Sequence, residues 1–274
     1  MNKIDLEIDI NADAGATASG FLASKSGLSK SKVKDAMNKG AVWLKKKKGG
    51  MKRLRKATAV LEQGDHIELH YDEKILSVKP PSAYCLSDRR VYSVWYKPPA
   101  MIAQGTIYGD HCSLMRYAEL YFRPQRDVFL VHRLDRETSG IMLIAHTSRA
   151  AAGLSELFQK NQITKRYRAE VLGNIGEKGY RGILEFPLDG KSAITEYQVI
   201  SFDPERNTSA VDIVINTGRL HQIRRHFDVI GHPVMGDPKY GKGNKNTEGL
   251  KLTALSLRFR CPVTGNEVEF SVPQ

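Results

Sequence analysis

Val131-His132-Arg133-Leu134-Asp135-Arg136-Glu137-Thr138-Ser139-Gly140 lies between two apolar runs, Val128–His132 and Gly140–His146, each of which reads as a strand. A histidine and charges of both signs crowd a strand exit, where a core loop is ordinarily neutral. Arg133 and Arg136 on either side of Asp135 would hold that carboxylate ionised, which suits a nucleophile or general base better than a general acid. The same residues would also serve as an ion-pair network that ties a loop down.

Working outward, further strand signals fall at Val91–Tyr96, Arg166–Leu172, Thr195–Ser201, Ala210–Asn216, Leu252–Arg260 and Val268–Val272, with helices at Ser148–Asn161 and Arg219–Ile230. Strand follows strand with few helices between. The expectation is therefore an α+β domain on a mixed, mostly antiparallel sheet, with a central cleft, and not a doubly wound parallel one.

A second string, Asn216-Thr217-Gly218-Arg219-Leu220-His221-Gln222-Ile223-Arg224-Arg225-His226, runs into Gly231-His232-Pro233-Val234-Met235-Gly236-Asp237. On a helical projection Leu220, Ile223, Phe227 and Ile230 form one apolar stripe with Arg224 on its flank. A half-buried guanidinium needs a carboxylate, and Asp135 is the candidate partner.

The first part of the chain has a different character. The whole protein carries 42 Lys+Arg against 30 Asp+Glu, a net charge of +12. Between Lys25 and Lys56 there are thirteen basic residues and one acidic, Asp35, so this stretch alone carries 13 − 1 = +12. Local basicity of this kind points to a polyanionic partner, with RNA-binding lysines expected at Lys30, Lys32, Lys34, Lys45, Lys46, Lys47 and Lys48; a solvated charge face is the alternative. A helix at Ser31–Lys39, the run Ala41–Leu44 and a strand at His66–Tyr71 give this stretch enough apolar residues to fold. Residues 1–20 read as an extension, a short alternating strand followed by a small-residue tract. Residues 21–74 read as the basic module, 75–88, with Pro80-Pro81, as a linker, and 89–274 as the larger domain.

Several classes are excluded. Three scattered cysteines, Cys85, Cys112 and Cys261, make neither a disulfide framework nor a zinc site, and suit a reducing, cytoplasmic compartment. The acidic N-terminus lacks the apolar run of a signal peptide, and no stretch reaches the roughly 18 apolar residues of a transmembrane helix. Gly236–Lys242 mimics a P-loop, but Gly243 replaces the Ser/Thr that would hold magnesium. His221 and His226, five apart, would point to different helix faces, and no metal is expected.

Taken together, HRLD-x-x-TSG at His132–Gly140 and TGR-x-HQIR…GHP…GD…YG at Thr217–Gly241 resemble the RluA-like family of pseudouridine synthases. Tyr96-Lys97-Pro98-Pro99 and Lys165-Arg166-Tyr167-Arg168-Ala169-Glu170-Val171 are similar to two further family segments, so four ordered motifs span Tyr96–Gly241, 146 residues. Ser29–Ala36, Gly40-Ala41-Val42 and Gln63–Ile67 resemble an S-four-like RNA-binding domain.

The resemblance implies a catalytic Asp135, a Tyr167 that stacks on the target uracil, and an Arg224 paired with the aspartate. It implies that Arg133 helps hold RNA open around a flipped nucleotide, and it places His132, Arg219, His221 and Lys97 among substrate-binding residues. It implies an isomerisation in which substrate and product share one formula, so no cofactor is needed. The partner expected from it is RNA, ribosomal before transfer RNA, acted on by a monomer. Two departures from the family pattern stand out. Ala100 replaces a glycine common after the lysine–proline pair, and Leu252-Thr253-Ala254 and Cys261-Pro262-Val263-Thr264-Gly265 replace the usual C-terminal L-H-A and H-P-x-T-G.

Overall fold

The structure, a computed structural model, describes residues 2–11 and 17–273. Part of the small-residue tract, residues 12–16, lies outside the described residues. Two compact units divide the chain: Met1–Pro81 with Gln104–Leu120, and Ser82–Ala103 with Tyr121–Gln274.

In the first unit, β1 (Lys3–Asp9) is followed by α1 (Ala18–Ser26), α2 (Lys30–Asn38), β2 (Val42–Lys45), β3 (Lys52–Arg53), β4 (His66–Asp72) and the short α3 (Glu73–Leu76). The four strands form one sheet in the order β1-β4-β2-β3. Residues 1–20 are thus not a bare extension, because β1 is an edge strand antiparallel to β4. Its alternation explains the placement: Ile4, Leu6 and Ile8 pack on the core, while Asp5, Glu7 and Asp9 face away. Helix α2 begins at the Ser29 cap, whose hydroxyl accepts from the Lys32 amide at 3.3 Å, and buries Val33, Ala36 and Met37 at helical spacing.

Residues 104–120 also belong to this unit, which no local signal foretold. The Trp43 indole donates to the Ile107 carbonyl at 3.1 Å, the Asp110 amide donates to the Lys39 carbonyl at 2.9 Å, and Arg53 pairs with the Asp110 carboxylate at 3.2 Å. The expected linker at 75–88 is interrupted at both ends, by α3 and by β5 (Tyr84–Asp88), a strand of the second unit's sheet.

The second unit continues with β6 (Tyr92–Lys97). After the inserted α4 (Leu114–Tyr121) come β7 (Phe129–Leu130), β8 (Ser139–Ala145), α5 (Ser148–Gln159), β9 (Thr164–Leu172), β10 (Arg181–Leu184), β11 (Thr195–Asp203) and β12 (Thr208–Ile215). The chain ends with α6 (Gln222–Val229), β13 (Leu252–Arg260) and β14 (Glu267–Ser271). The ten strands make one sheet, β10-β11-β12-β9-β13-β8-β6-β5, with β14 on β13 and β7 on β8. Among the described residues β8–β13 is the single parallel ladder, so the fold is α+β and mostly antiparallel. That ladder explains one glycine: Gly140 has φ +119°, and a Cβ there would lie 2.2 Å from the Ala254 carbonyl oxygen. All seven residues of β8 are buried, which is why they read as a continuous apolar run.

The strand expected at Val128–His132 is only two residues long, because the chain leaves the sheet to form the Asp135 loop. Helix α6 begins at Gln222, so Leu220 lies before it and is 57% exposed, while Arg224, at 2%, is buried beside Ile223 and Phe227 of the expected stripe. Among the described residues no helix is long and apolar enough to cross a membrane.

Candidate active site

The loop between β7 and β8 carries Asp135 and is tied at three points. The Leu143 amide donates to Nε2 of His132 at 2.9 Å, the Thr138 amide donates to the Asp135 carbonyl at 3.2 Å, and Lys97 Nζ donates to the Arg136 carbonyl at 3.3 Å. Because Nε2 accepts, His132 carries its proton on Nδ1; its ring stacks on Phe158 at 4.2 Å. Burial, with Lys165 nearby, pushes its pKa down to about 3, so it is neutral. His132 therefore holds the loop to β8.

Lys97 has a similar office. It is fully buried, and its ammonium donates to the carbonyls of Pro98, Met101 and Arg136 at 3.0, 2.8 and 3.3 Å. Burial lowers its pKa to about 8. All three protons are spent on carbonyls, so Lys97 positions the Asp135 loop and has no donor left for RNA.

Arg224, on α6, donates from NH1 to Asp135 Oδ2 at 3.0 Å, the pairing expected from the sequence. The Asp237 carboxylate accepts from Nε at 2.7 Å and from NH2 at 2.8 Å. Reasoning from sequence missed Asp237, although it is the aspartate of the GD segment. Burial lowers the Arg224 pKa, but the two carboxylates outweigh it and hold the guanidinium charged. Asp237 remains ionised because Arg224 and the Lys239 and Tyr240 amides outweigh its burial.

The loop before α6 brings in His221, whose φ of +52° is left-handed. Its Nε2 lies 3.6 Å from Asp135 Oδ1, and its Nδ1 shares a 2.9 Å hydrogen bond with the Tyr240 hydroxyl. Burial keeps it below the ordinary histidine value. Gln222 braces the loop. Its Oε1 accepts from the Thr217 hydroxyl at 2.9 Å and the Arg219 amide at 3.1 Å, while its Nε2 donates to the Ile194 carbonyl at 2.8 Å. Arg219 donates Nε to the Ser192 carbonyl at 3.0 Å.

These residues line a cavity of about 550 Å³ whose walls include Arg133, Asp135, Lys165, Tyr167, Arg219, His221 and Arg224. Burial and the charge of Asp135 hold the Tyr167 phenol well above its usual range, so it is a neutral ring. Arg133 is exposed. The site therefore offers one carboxylate fixed by a buried arginine, a neutral aromatic face and peripheral cations. That is an arrangement for holding a planar base and a sugar in reach of one oxygen.

In the basic module Lys30, Lys34, Lys45, Lys47 and Lys48 are exposed. Lys32 pairs with Glu73 at 3.0 Å, and Lys46 pairs with Glu62 at 3.2 Å and Asp65 at 2.9 Å. Those two are engaged inside the module.

A family model described as RNA pseudouridylate synthase matches residues 91–228. The chain is 35% identical over 166 residues to the ribosomal large subunit pseudouridine synthase D of Zymomonas mobilis, a match covering 52% of this chain and 51% of that protein. It thus spans about half the length of that curated relative. It is 31% identical to the tRNA pseudouridine synthase C of Haemophilus ducreyi, over 64% of this chain and 84% of the relative. The solved human RNA pseudouridylate synthase domain containing 1 shares the fold, with a TM-score of 0.60 and 24% identity over 72% of this chain and 86% of that one.

Proposed function

Because the chain belongs to the RNA pseudouridylate synthase family, we propose that it isomerises specific uridines of structured RNA, large-subunit ribosomal RNA in the first place, acting as a cytoplasmic monomer. The observation that carries the reading is the Asp135 carboxylate in a cavity shared with Tyr167, held by a guanidinium that is itself clamped by Asp237.

The chemistry follows from that arrangement. The glycosidic bond breaks between the anomeric carbon and N1, the uracil turns, and C5 joins the anomeric carbon. As the bond breaks, the sugar carbon becomes electron-poor and the base electron-rich. Asp135 assists either by attacking the anomeric carbon or by taking a ribose proton. Arg224 pairs with it and aims it. A uridine in folded RNA must first be extruded, at a cost of a few kcal/mol, which stacking on Tyr167 and contacts from exposed cations would offset. The exposed lysines of the first unit supply affinity through counterion release and read no sequence.

Transfer RNA is the second reading, favoured by the extent of the match to the Haemophilus enzyme. Pseudouridine mapping by carbodiimide adduct and primer extension, on total RNA from cells with and without this chain, separates the two. A stop that disappears from large-subunit ribosomal RNA supports the first reading, and one that disappears from transfer RNA the second. Purified protein that converts neither RNA refutes both.

A further inference from the structure

One charged group of the cavity takes no part in that chemistry. Lys165 is 6% exposed, lines the cavity, and donates one hydrogen bond, to the Asn216 carbonyl at 2.8 Å. Among the described residues no carboxylate lies within ion-pair distance of it. A buried ammonium without a counter-ion is costly, and two of its three protons remain to be placed. Gly218 lies beside it, where a Cβ would make only an ordinary van der Waals contact with Nζ at 3.6 Å.

Its position says what it waits for. Lys165 precedes Tyr167 by two residues on β9, so both side chains leave the same face of the strand about 7 Å apart. A base stacked on the Tyr167 ring is within reach of the ammonium. A phosphate is better served at the rim by exposed Arg133.

Resting on the proposed isomerisation, we propose that Lys165 is a catalytic residue that donates a hydrogen bond to a carbonyl oxygen of the target uracil and stabilises the negative charge the base acquires when its glycosidic bond breaks. The bond's electron pair passes to N1 and spreads onto the ring carbonyls. Lys165 keeps its proton throughout and only donates a hydrogen bond. The charge is consumed when C5 bonds to the anomeric carbon; C5 then loses its proton and N1 gains one, so that formula and charge balance. A preorganised cation in a dry site lowers such a barrier without reorganising as charge develops.

The groups facing Lys165 make its titration readable. Arg219 adds to the effect of burial, and together they bring its pKa to about 8; the nearby His132 is neutral; its cross-strand neighbours, Ile215 on β12 and Leu257 on β13, are apolar.

The test is single-turnover tritium release from an RNA transcript labelled at uracil C5, carrying the uridine found by mapping. RNA affinity is measured in parallel at several salt concentrations. Wild type, Lys165→Met, Lys165→Arg and Asp135→Ala are compared, all checked for a normal thermal transition. Lys165→Met should slow release by about 100-fold, with Kd within about threefold and an unchanged salt slope. The wild-type rate should fall above about pH 8, where Lys97 titrates as well, and Lys165→Arg should retain activity with a shallower fall. A full rate in Lys165→Met with a dead Asp135→Ala overturns the role of Lys165 alone. A weakened Kd with a shallower salt slope makes it a phosphate ligand and also overturns the proposal. If Lys165→Met fails to fold, Lys165→Gln is read in its place, and a full rate there overturns the role of Lys165. A wild type that releases no tritium defeats the isomerisation, and this role with it.

Discussion

Asp237 takes Nε and NH2 of Arg224, at 2.7 and 2.8 Å, and leaves NH1 alone to reach Asp135 at 3.0 Å. The guanidinium is a rigid planar fork, so fixing two of its nitrogens fixes the direction of the third. Asp237, wholly buried and further held by the Lys239 and Tyr240 amides, is thus the anchor that aims Arg224 at the reacting carboxylate.

Asp237→Asn should therefore harm both stability and activity. It removes a buried negative charge and leaves the Arg224 guanidinium undercompensated, an effect of about 3 kcal/mol or more. Urea denaturation should show a lower midpoint at unchanged slope, and single-turnover isomerisation should be slower even in the fully folded protein. Unchanged values for both would mean that Asp135 alone suffices to orient Arg224. Arg224→Lys should fail similarly, because an ammonium cannot engage both carboxylates with fork geometry.

Ala100→Gly should stabilise the protein. Ala100 sits at φ +67° in the loop whose Pro98 and Met101 carbonyls surround the Lys97 ammonium. A left-handed alanine costs about 1–2 kcal/mol relative to glycine, which offsets the greater entropy that glycine loses on folding. The expected gain is about 1 kcal/mol, or roughly 2–4 °C in Tm for a unit of this size. A Tm that falls would show that the loop does not need this conformation.

Most of the longer strands were legible because each carries its own signal, while β3, β5 and β10 were not read. β13 falls where its leucine-rich apolar run predicts, and β9, β11, β12 and β14 lie within a residue or two of expectation. The Asp135–Arg224 pair was legible too, since a buried arginine must find a carboxylate and one candidate was at hand. What escaped has non-local causes. Nothing within residues 104–120 announces that they pack beside Trp43 and Arg53. The family resemblance places His132 and Lys97 among the substrate contacts. Only the fold reveals that their donors and acceptors end on backbone groups. α4, at eight residues, is too short to separate from loop by periodicity alone.

Within the lysine run, position decides function. Lys45, Lys47 and Lys48 are exposed, while Lys46 is paired to Glu62 and to the buried Asp65. Replacing Lys45, Lys47 and Lys48 by Gln should weaken RNA binding and reduce the salt slope by up to about 0.9 for each phosphate that is no longer neutralised. Lys46→Gln should leave the slope unchanged and lower the thermal stability, because Asp65 loses its partner. Filter binding between roughly 50 and 300 mM salt, with melting curves, checks both. An unchanged slope in the triple variant would make the run a solvated face.

The pairing of β1 with β4 should weaken as pH rises. Asp9, His66, Glu68, His70 and Asp5 form a chain along one face: His66 meets Asp9 at 2.7 Å and Glu68 at 3.3 Å, and His70 meets Glu68 and Asp5 at 2.9 Å each. With a carboxylate on every ring nitrogen, each imidazole is best satisfied as the doubly protonated cation. Its charge also separates Glu7 from Glu68, which lie opposite one another. Asp9 raises the pKa of His66 despite burial, and Glu68 with Asp5 raises that of His70 against burial; the facing cations are Lys45, across from His66 on β2, and Lys3 on β1. For a group whose folded pKa is raised, the stabilisation is fully present below the unfolded value near 6.5. It is lost as pH climbs through the folded values. Amide hydrogen exchange corrected for intrinsic rates should show protection at Leu6 and Ile8 declining from about pH 6 upward. In a His66→Gln, His70→Gln double variant the decline should be absent and protection low throughout. Protection that rises with pH in the wild-type chain would reverse the sign and refute the imidazolium chain as the clasp that holds β1.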